Sequence, residues 1–252
     1  MSLVIALAGK GGSGKTTMAS LIIRHLLRQD SGTVLAVDAD ANANLGESLG
    51  VEVKSTIGSV IAGFNTSKIS IPPGLTKDAY LEIKLNQAIV ENHGFDLITM
   101  GRGEGQGCYC YPNSVLRSFL DKLEPNYKFL VMDNEAGLEH LSRNVTRDVD
   151  ELIIVSNHSV KGVRTINRIT ELIKELKINI KRQHVVIDQI PGKLDPALNA
   201  ELKSMVISPT ALIPIDPDIA RYDLDKKSLL ALPDDSAAVQ AVNQLMNQIL
   251  SN

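Results

Sequence analysis

Residues 9–17 read Gly9-Lys10-Gly11-Gly12-Ser13-Gly14-Lys15-Thr16-Thr17, directly after the apolar run Leu3 to Ala8. The spacing Gly9-x-x-x-x-Gly14-Lys15-Thr16 is that of a Walker A phosphate loop between a strand and a helix. Glycines let the backbone turn tightly and aim its N–H groups at phosphate oxygens. The helix expected from about Lys15 adds the positive end of its dipole. Its apolar positions Met18, Leu21, Ile22 and Leu26 recur at helical spacing. Gly9, Gly11, Gly12, Ser13, Gly14, Lys15, Thr16 and Thr17 are therefore the expected cradle of a nucleoside triphosphate. Lys15 is expected at the β- and γ-phosphates, and the Thr16 hydroxyl at Mg²⁺.

Outward from this loop, short apolar runs alternate with helical patterns. Strands are expected at Leu3–Ala8, Val34–Asp38, Leu97–Met100, Phe129–Asp133, Leu152–Val155, Val185–Ile187 and Ala211–Ile213. Helices are expected to begin near Lys15, Lys77, Asn113, Lys161, Pro196 and Ser236. The fold class is α/β, a mostly parallel central sheet flanked by helices. At 252 residues the chain is long enough for one large domain, read here as residues 1–252. The segment Val51 to Gly94, with Pro72-Pro73-Gly74, reads as an elaboration between strands or a partner-binding face.

A net charge of -3 gives no electrostatic reason to expect nucleic acid or an anionic membrane as a partner. No apolar run approaches the roughly 20 residues needed to span a bilayer. Met1-Ser2 leads into the first strand without a basic leader, so a cytoplasmic chain is expected. Two cysteines one residue apart do not suggest a disulfide framework.

Two further strand ends carry carboxylates. Val37-Asp38-Ala39-Asp40 closes the second strand, where side chains enter the ligand crevice of a parallel sheet. Phe129-Leu130-Val131-Met132-Asp133 reads as a Walker B strand, its aspartate beside the Mg²⁺. Gly137, shortly after it, permits approach to the γ-phosphate and movement when that group leaves. Gly101 to Gly107 places glycine at every second position and leads into Cys108-Tyr109-Cys110. In a pliant loop both thiolates can turn toward one ion, half-filling a tetrahedral or square-planar site. A symmetric dimer would supply the other two sulfurs. Thiolates suit zinc, nickel or an iron–sulfur cluster, and buried packing is the alternative fate of such residues.

The pattern Lys10-Gly-Gly-x-Gly-Lys-Thr-Thr17 resembles the deviant Walker A loop of the superfamily that includes the nitrogenase iron protein, MinD, ParA and the arsenite ATPases. That resemblance implies that Lys10 crosses to the partner's phosphates in a homodimer. It also implies that Asp40 orients the attacking water and that Asp38 supports the Mg²⁺ shell. Base contact would fall to Asp188, where the superfamily often has asparagine, and to the loop holding Pro214 and Asp216. An aspartate accepts from an adenine amino group but cannot donate.

The phosphate loop, Asp38-Ala-Asp40, Cys108-x-Cys110 and the run Met132 to Leu141 together look like the CooC-type ATPases and their relative AcsF. This resemblance implies ATP-dependent dimerisation and a metal held between subunits by Cys108 and Cys110 of each chain. It implies a role in nickel insertion into acetyl-CoA synthase or carbon monoxide dehydrogenase, with ATP/ADP, Mg²⁺ and Ni²⁺ (or Zn²⁺ in its place) as ligands. A MinD- or ParA-like positioning ATPase is the alternative. It calls for a basic surface, yet Ser228 to Asn252 contains no Lys or Arg.

Overall fold

The computed structural model describes residues 2–65, 71–102, 110–135, 148–175 and 178–251, without the side chains of 65 and 110–113. Eight strands form one sheet: β1 (Leu3–Gly9), β2 (Val34–Ala39), β3 (Val90–Asn92), β4 (Phe95–Thr99), β5 (Phe129–Asn134), β6 (Asp148–Asn157), β7 (Asn179–Ile190) and β8 (Ala211–Pro214). Their order is β3-β4-β2-β5-β1-β6-β7-β8. Every pairing is parallel except β3 with β4. β1 lies between β5 and β6, and the chain leaves it in one direction for β2 and returns to its other flank at β6. The crevice above its C-terminal end is therefore a topological switch point, where open α/β sheets bind ligands.

Strand residues alternate between two cores, as a sheet covered on both faces requires. Ile5 and Leu7 face a core shared with α1 (Lys15–Arg28), α2 (Leu45–Leu49) and α9 (Ala237–Leu250). Val4, Ala6 and Ala8 face the opposite core. That side is closed by α3 (Ile57–Asn65), α4 (Lys77–Asn86), α5 (Cys110–Leu123), α6 (Val160–Glu175) and α7 (Pro196–Ser204). The last helix in between, α8 (Pro217–Leu224), follows the edge strand β8. In α6 the stripe Val163, Ile166, Ile169 and Ile173 is buried; Leu176, its expected end, lies outside the described residues. In α9, Val239, Val242, Leu245, Met246 and Ile249 are buried, so its apolar face packs on the sheet.

All seven expected strands are present, two of them much longer than their apolar stretches. β6 and β7 pair from Asp148↔Asn179 to Asn157↔Asp188. Their N-terminal halves are polar, and cross-strand bonds hold them together. Asn179 Nδ2 donates to Asp148 Oδ1 at 2.6 Å, and Lys181 Nζ pairs with Asp150 at 2.6 Å. The fully buried Glu151 takes Arg182 on one oxygen and His184 on the other. The segment 51–94 contributes α3, α4 and the antiparallel edge strand β3 to the side of β4. It is an elaboration of the single sheet.

Candidate nucleotide site

β1 ends at Gly9, and α1 begins six residues later. The turn between them is closed by Ser13 N–H donating to Lys10 O at 3.1 Å. Gly14 precedes α1 at φ 92°, in the left-handed region, and no side chain caps the helix. No acid occupies the first turn. The amides of α1 are thus left for an anion, as at helix N-termini that bind phosphate. Ser13 Oγ is buried without a partner among the described residues. Gly9 is required by space, since a Cβ there would stand 2.3 Å from Val155 O of β6.

Lys15 is buried, its Nζ 3.4 Å from Lys10 O. Burial lowers its pKa, while Asp133, Asp40 and Glu135 oppose that. Lys10 is exposed at the rim. Thr16 Oγ1 donates to Asp133 Oδ2 at 2.6 Å, and Asp133 Oδ1 is buried without a partner among the described residues. Burial raises the Asp133 acid to about 6, against the Thr16 bond and the Lys15 charge. A hydroxyl and a carboxylate with one open oxygen form a hard oxygen donor set, which fits Mg²⁺.

Asp38 pairs with Asp133 across β2 and β5 and is fully buried. Its oxygens accept from Asp40 N at 3.1 Å and from Leu45 N at 2.9 Å. Burial raises it to about 7, more than these bonds lower it. Asp38 therefore anchors the loop from β2 to α2. Within that loop Asp40 is half-buried, and its Oδ1 accepts from Asn42 N at 2.8 Å.

Two cavities share Thr16, Thr17, Asn44 and Gln189. One, of about 470 Å³, is lined by Gly11, Gly12, Gly14, Lys15, Asp40 and Glu135. It is the phosphate side. The other, of about 670 Å³, holds Asp188, Pro214, Ile215, Asp216 and Ile219, with Lys226 and Lys227 beyond. It has room for a base and sugar. Asp188 stands two residues before the end of β7 and accepts bonds from the backbone and side chain of Gln189; burial raises its acid to about 6. It lies over Gly14, where a Cβ would be 2.0 Å from Asp188 Oδ2. Asp216 caps α8 through Asp218 N at 3.0 Å. Its other oxygen accepts from Ser236 Oγ at 2.6 Å and Ala238 N at 3.1 Å. Burial opposes, but these bonds lower its pKa overall.

Lys15, Thr16, Asp40, Asp188, Pro214 and Asp216 line this shared crevice, with Asp133 bonded to Thr16, Asp38 buried and bonded to the Asp40 amide, and Lys10 exposed on the phosphate loop. The sequence reading missed Gln189, Glu47, Ile219, Lys226 and Lys227 in its walls. Gln189 directly follows Asp188, and Glu47 lies on α2, after the loop that carries Asp40. Asp216-Pro217, a cap followed by a proline at the first helical position, is the local signal that could have found α8. Gly137 and Cys108 lie outside the described residues. Cys110 opens α5, three residues before the expected start at Asn113, and Pro112 is tolerated because it falls in the first turn. The side chain of Cys110 is not described.

Residues 2–187 match the AAA domain family (AAA_31). The chain is similar to an uncharacterized ATP-binding protein, MJ0685, of Methanocaldococcus jannaschii, 37% identical over 99% of each chain. It is also similar to the carbon monoxide dehydrogenase accessory protein CooC of Rhodospirillum rubrum. That likeness is 31% identity over 69% of this chain and 70% of CooC. Among solved structures, the septum site-determining protein MinD with Mg-ADP from Pyrococcus horikoshii superposes with a TM-score of 0.73 at 22% identity. It covers 99% of this chain and 96% of MinD.

Proposed function

We propose that this chain, which belongs to the AAA domain family of P-loop ATPases, is a cytoplasmic metallochaperone. It hydrolyses ATP, dimerises with it, and supports nickel insertion into the nickel–iron–sulfur cluster of acetyl-CoA synthase or carbon monoxide dehydrogenase. One observation carries the reading. Cys108-Tyr109-Cys110 stands ahead of the Asp133 strand, in a chain 31% identical to CooC over 69% of its length.

The amides of residues 11–17 and Lys15 bind the phosphates. Thr16 and Asp133 would hold Mg²⁺, which when bound would supply charge neutralisation for phosphoryl transfer. Asp40 orients the water whose oxygen attacks the γ-phosphorus as the bond to the bridging oxygen breaks. Positioning and charge neutralisation are the main demands of this reaction. Lys10, exposed at the rim, reaches the phosphates of the partner chain. Asp188, Pro214 and Asp216 flank the base. Closure of the dimer brings both cysteine pairs onto one nickel ion, the cargo, and hydrolysis releases it toward the apo-enzyme.

The test is nickel-dependent activation of apo acetyl-CoA synthase and of apo carbon monoxide dehydrogenase, with and without ATP. Activation of either that needs ATP and Cys108 supports the reading. Purified protein should take up about one Ni²⁺ or Zn²⁺ per dimer, and Cys108→Ser should abolish it. Undiminished uptake by that variant refutes the metal role and leaves the ATPase intact. Lys10→Ala should retain nucleotide binding and lose hydrolysis or the ATP-bound dimer.

A further inference from the structure

β7 does not end as a regular strand. Its register with β8 shifts between Ile187 and Ile190, and Gln189 between them has φ 60°. In a regular pleat, consecutive side chains point to opposite faces. The bulge breaks that alternation, as bulges beside active sites do. Asp188 and Gln189 consequently lie together: the Gln189 carboxamide donates to the Asp188 carboxylate, and both line the base-sized cavity. Gln189 also lines the phosphate-side cavity and is exposed, whereas Asp188 is buried.

A left-handed conformation is uncommon for a residue other than glycine, asparagine or aspartate. Such conformations persist where the surroundings impose them, and they cluster at ligand sites. Asp188 itself is held over Gly14 at the start of α1, so this pair faces the nucleotide from the end of the phosphate loop.

The chemistry of the pair differs from that of either residue alone. An ionised carboxylate only accepts. Adenine shows a donor, its 6-amino group, beside an acceptor, N7 on one edge and N1 on the other. A reader of adenine therefore needs an acceptor and a donor side by side. The Gln189 carboxamide has two N–H groups, so it can donate to Asp188 and still offer a donor to a ring in the cavity that it lines.

We infer that Gln189 is a specificity-determining residue for the nucleotide base, supplying to the adenine ring nitrogen the donor that Asp188 lacks. The inference rests on the reading that Asp188 takes the 6-amino group. Together they form a two-point reader built from adjacent residues by a bulge. A 6-oxo purine puts an acceptor against the carboxylate and is disfavoured.

Affinities of the full-length protein for ATP, 7-deaza-ATP, 1-deaza-ATP and purine riboside triphosphate test this by calorimetry. One hydrogen bond is worth roughly three- to tenfold in affinity. The wild type should lose that factor for one of the two deaza analogues. Gln189→Leu should lose it for ATP and show no further loss for that same analogue. Equal wild-type affinity for ATP and both deaza analogues overturns the inference without any variant. So does a Gln189→Leu loss that is the same for all the nucleotides, which marks a merely structural residue. Purine riboside triphosphate, which lacks the amino group, separates the two readings. If the wild type binds it as tightly as ATP, the Asp188 contact is wrong and the two-point reader falls. If it binds more weakly while both deaza analogues match ATP, Asp188 reads the base and Gln189 does not.

Discussion

Gly14→Ala and Gly12→Ala place the same methyl group two residues apart in the phosphate loop, and their consequences should differ sharply. Both glycines are in the left-handed region, at φ 92° and φ 74°. An alanine in such a conformation costs about 1–2 kcal/mol. At Gly12 the added Cβ meets nothing within 4 Å, so that strain is the whole penalty. At Gly14 the Cβ would lie 2.0 Å from Asp188 Oδ2 and 3.1 Å from its Cγ, whereas ordinary contact begins near 3.4 Å. Asp188 is 8% exposed and pairs with Asn157 across β6, so it has little room to recede. Moving it disrupts the bonds from Gln189, each worth about 1 kcal/mol. The total for Gly14→Ala is on the order of 3–4 kcal/mol.

Urea unfolding without nucleotide reads this difference directly. The double variant Gly14→Ala/Asp188→Ala is the decisive arm. With the carboxylate gone, the new methyl faces only the residue 188 Cβ at 3.8 Å, an ordinary contact. Relative to the two single variants, the pair should show a favourable coupling of about 2 kcal/mol. If Gly14→Ala is no costlier than Gly12→Ala, or removing the carboxylate brings no relief, the close approach of Asp188 to the loop is not as described.

Three other outcomes follow from the same geometry. Burial raises Asp188 from its ordinary 3.8 to about 6 against the Gln189 bonds, so the folded state holds this proton more tightly than the unfolded chain. Its contribution to nucleotide-free stability is therefore full below about pH 4 and is lost as pH rises through 6; Asp188→Asn should flatten that fall by about 2 kcal/mol between urea titrations at pH 4.5 and 6.5. Thr16→Ala leaves both oxygens of the buried Asp133 without a hydroxyl partner. Its affinity for Mg-ATP should drop far more than its affinity for ATP in EDTA, and equal losses would remove Thr16 from the metal side. Val206, a β-branched residue at φ 56° and 93% exposed after α7, should be improved by Val206→Gly by on the order of 1 kcal/mol, measured as a higher urea midpoint.

The phosphate loop was legible because its chemistry is local: strand, glycines, lysine, threonine and helix follow one another in the chain. The apolar centres of all seven expected strands were legible for the same reason. What stayed hidden depends on partners distant in sequence. The polar halves of β6 and β7 carry no strand pattern, and only the meeting of Glu151 with Arg182 and His184 explains why they pair. The strand β3 has three residues, too few for a period to show. The helix α8 was hidden because its start was read as part of the base-contacting loop that holds Pro214 and Asp216. Its Pro217 stands at the first helical position behind an Asp216 cap, where proline is favoured. Gln189 was missed because its role comes from a bulge, and the bulge comes from how β8 pairs with β7.

The three carboxylates read from strand ends show how far sequence reasoning reaches into the site itself. By position, Asp38, Asp40 and Asp133 are nearly equivalent, each at or just past the end of a parallel strand near the phosphate loop. Their surroundings separate them. Asp133 keeps one oxygen open beside Thr16, which suits it to a metal ion. Asp38 has both oxygens engaged by the amides of Asp40 and Leu45, so it can reach a metal only through water or by releasing its own loop. Asp40 is tied to the loop by one oxygen through Asn42 N and sits at the cavity wall, half-buried, where a water molecule can meet it. A carboxylate that fixes the loop beneath one that faces water couples the two. Weakening Asp38 would displace Asp40, and the loss would register in turnover rather than in nucleotide affinity.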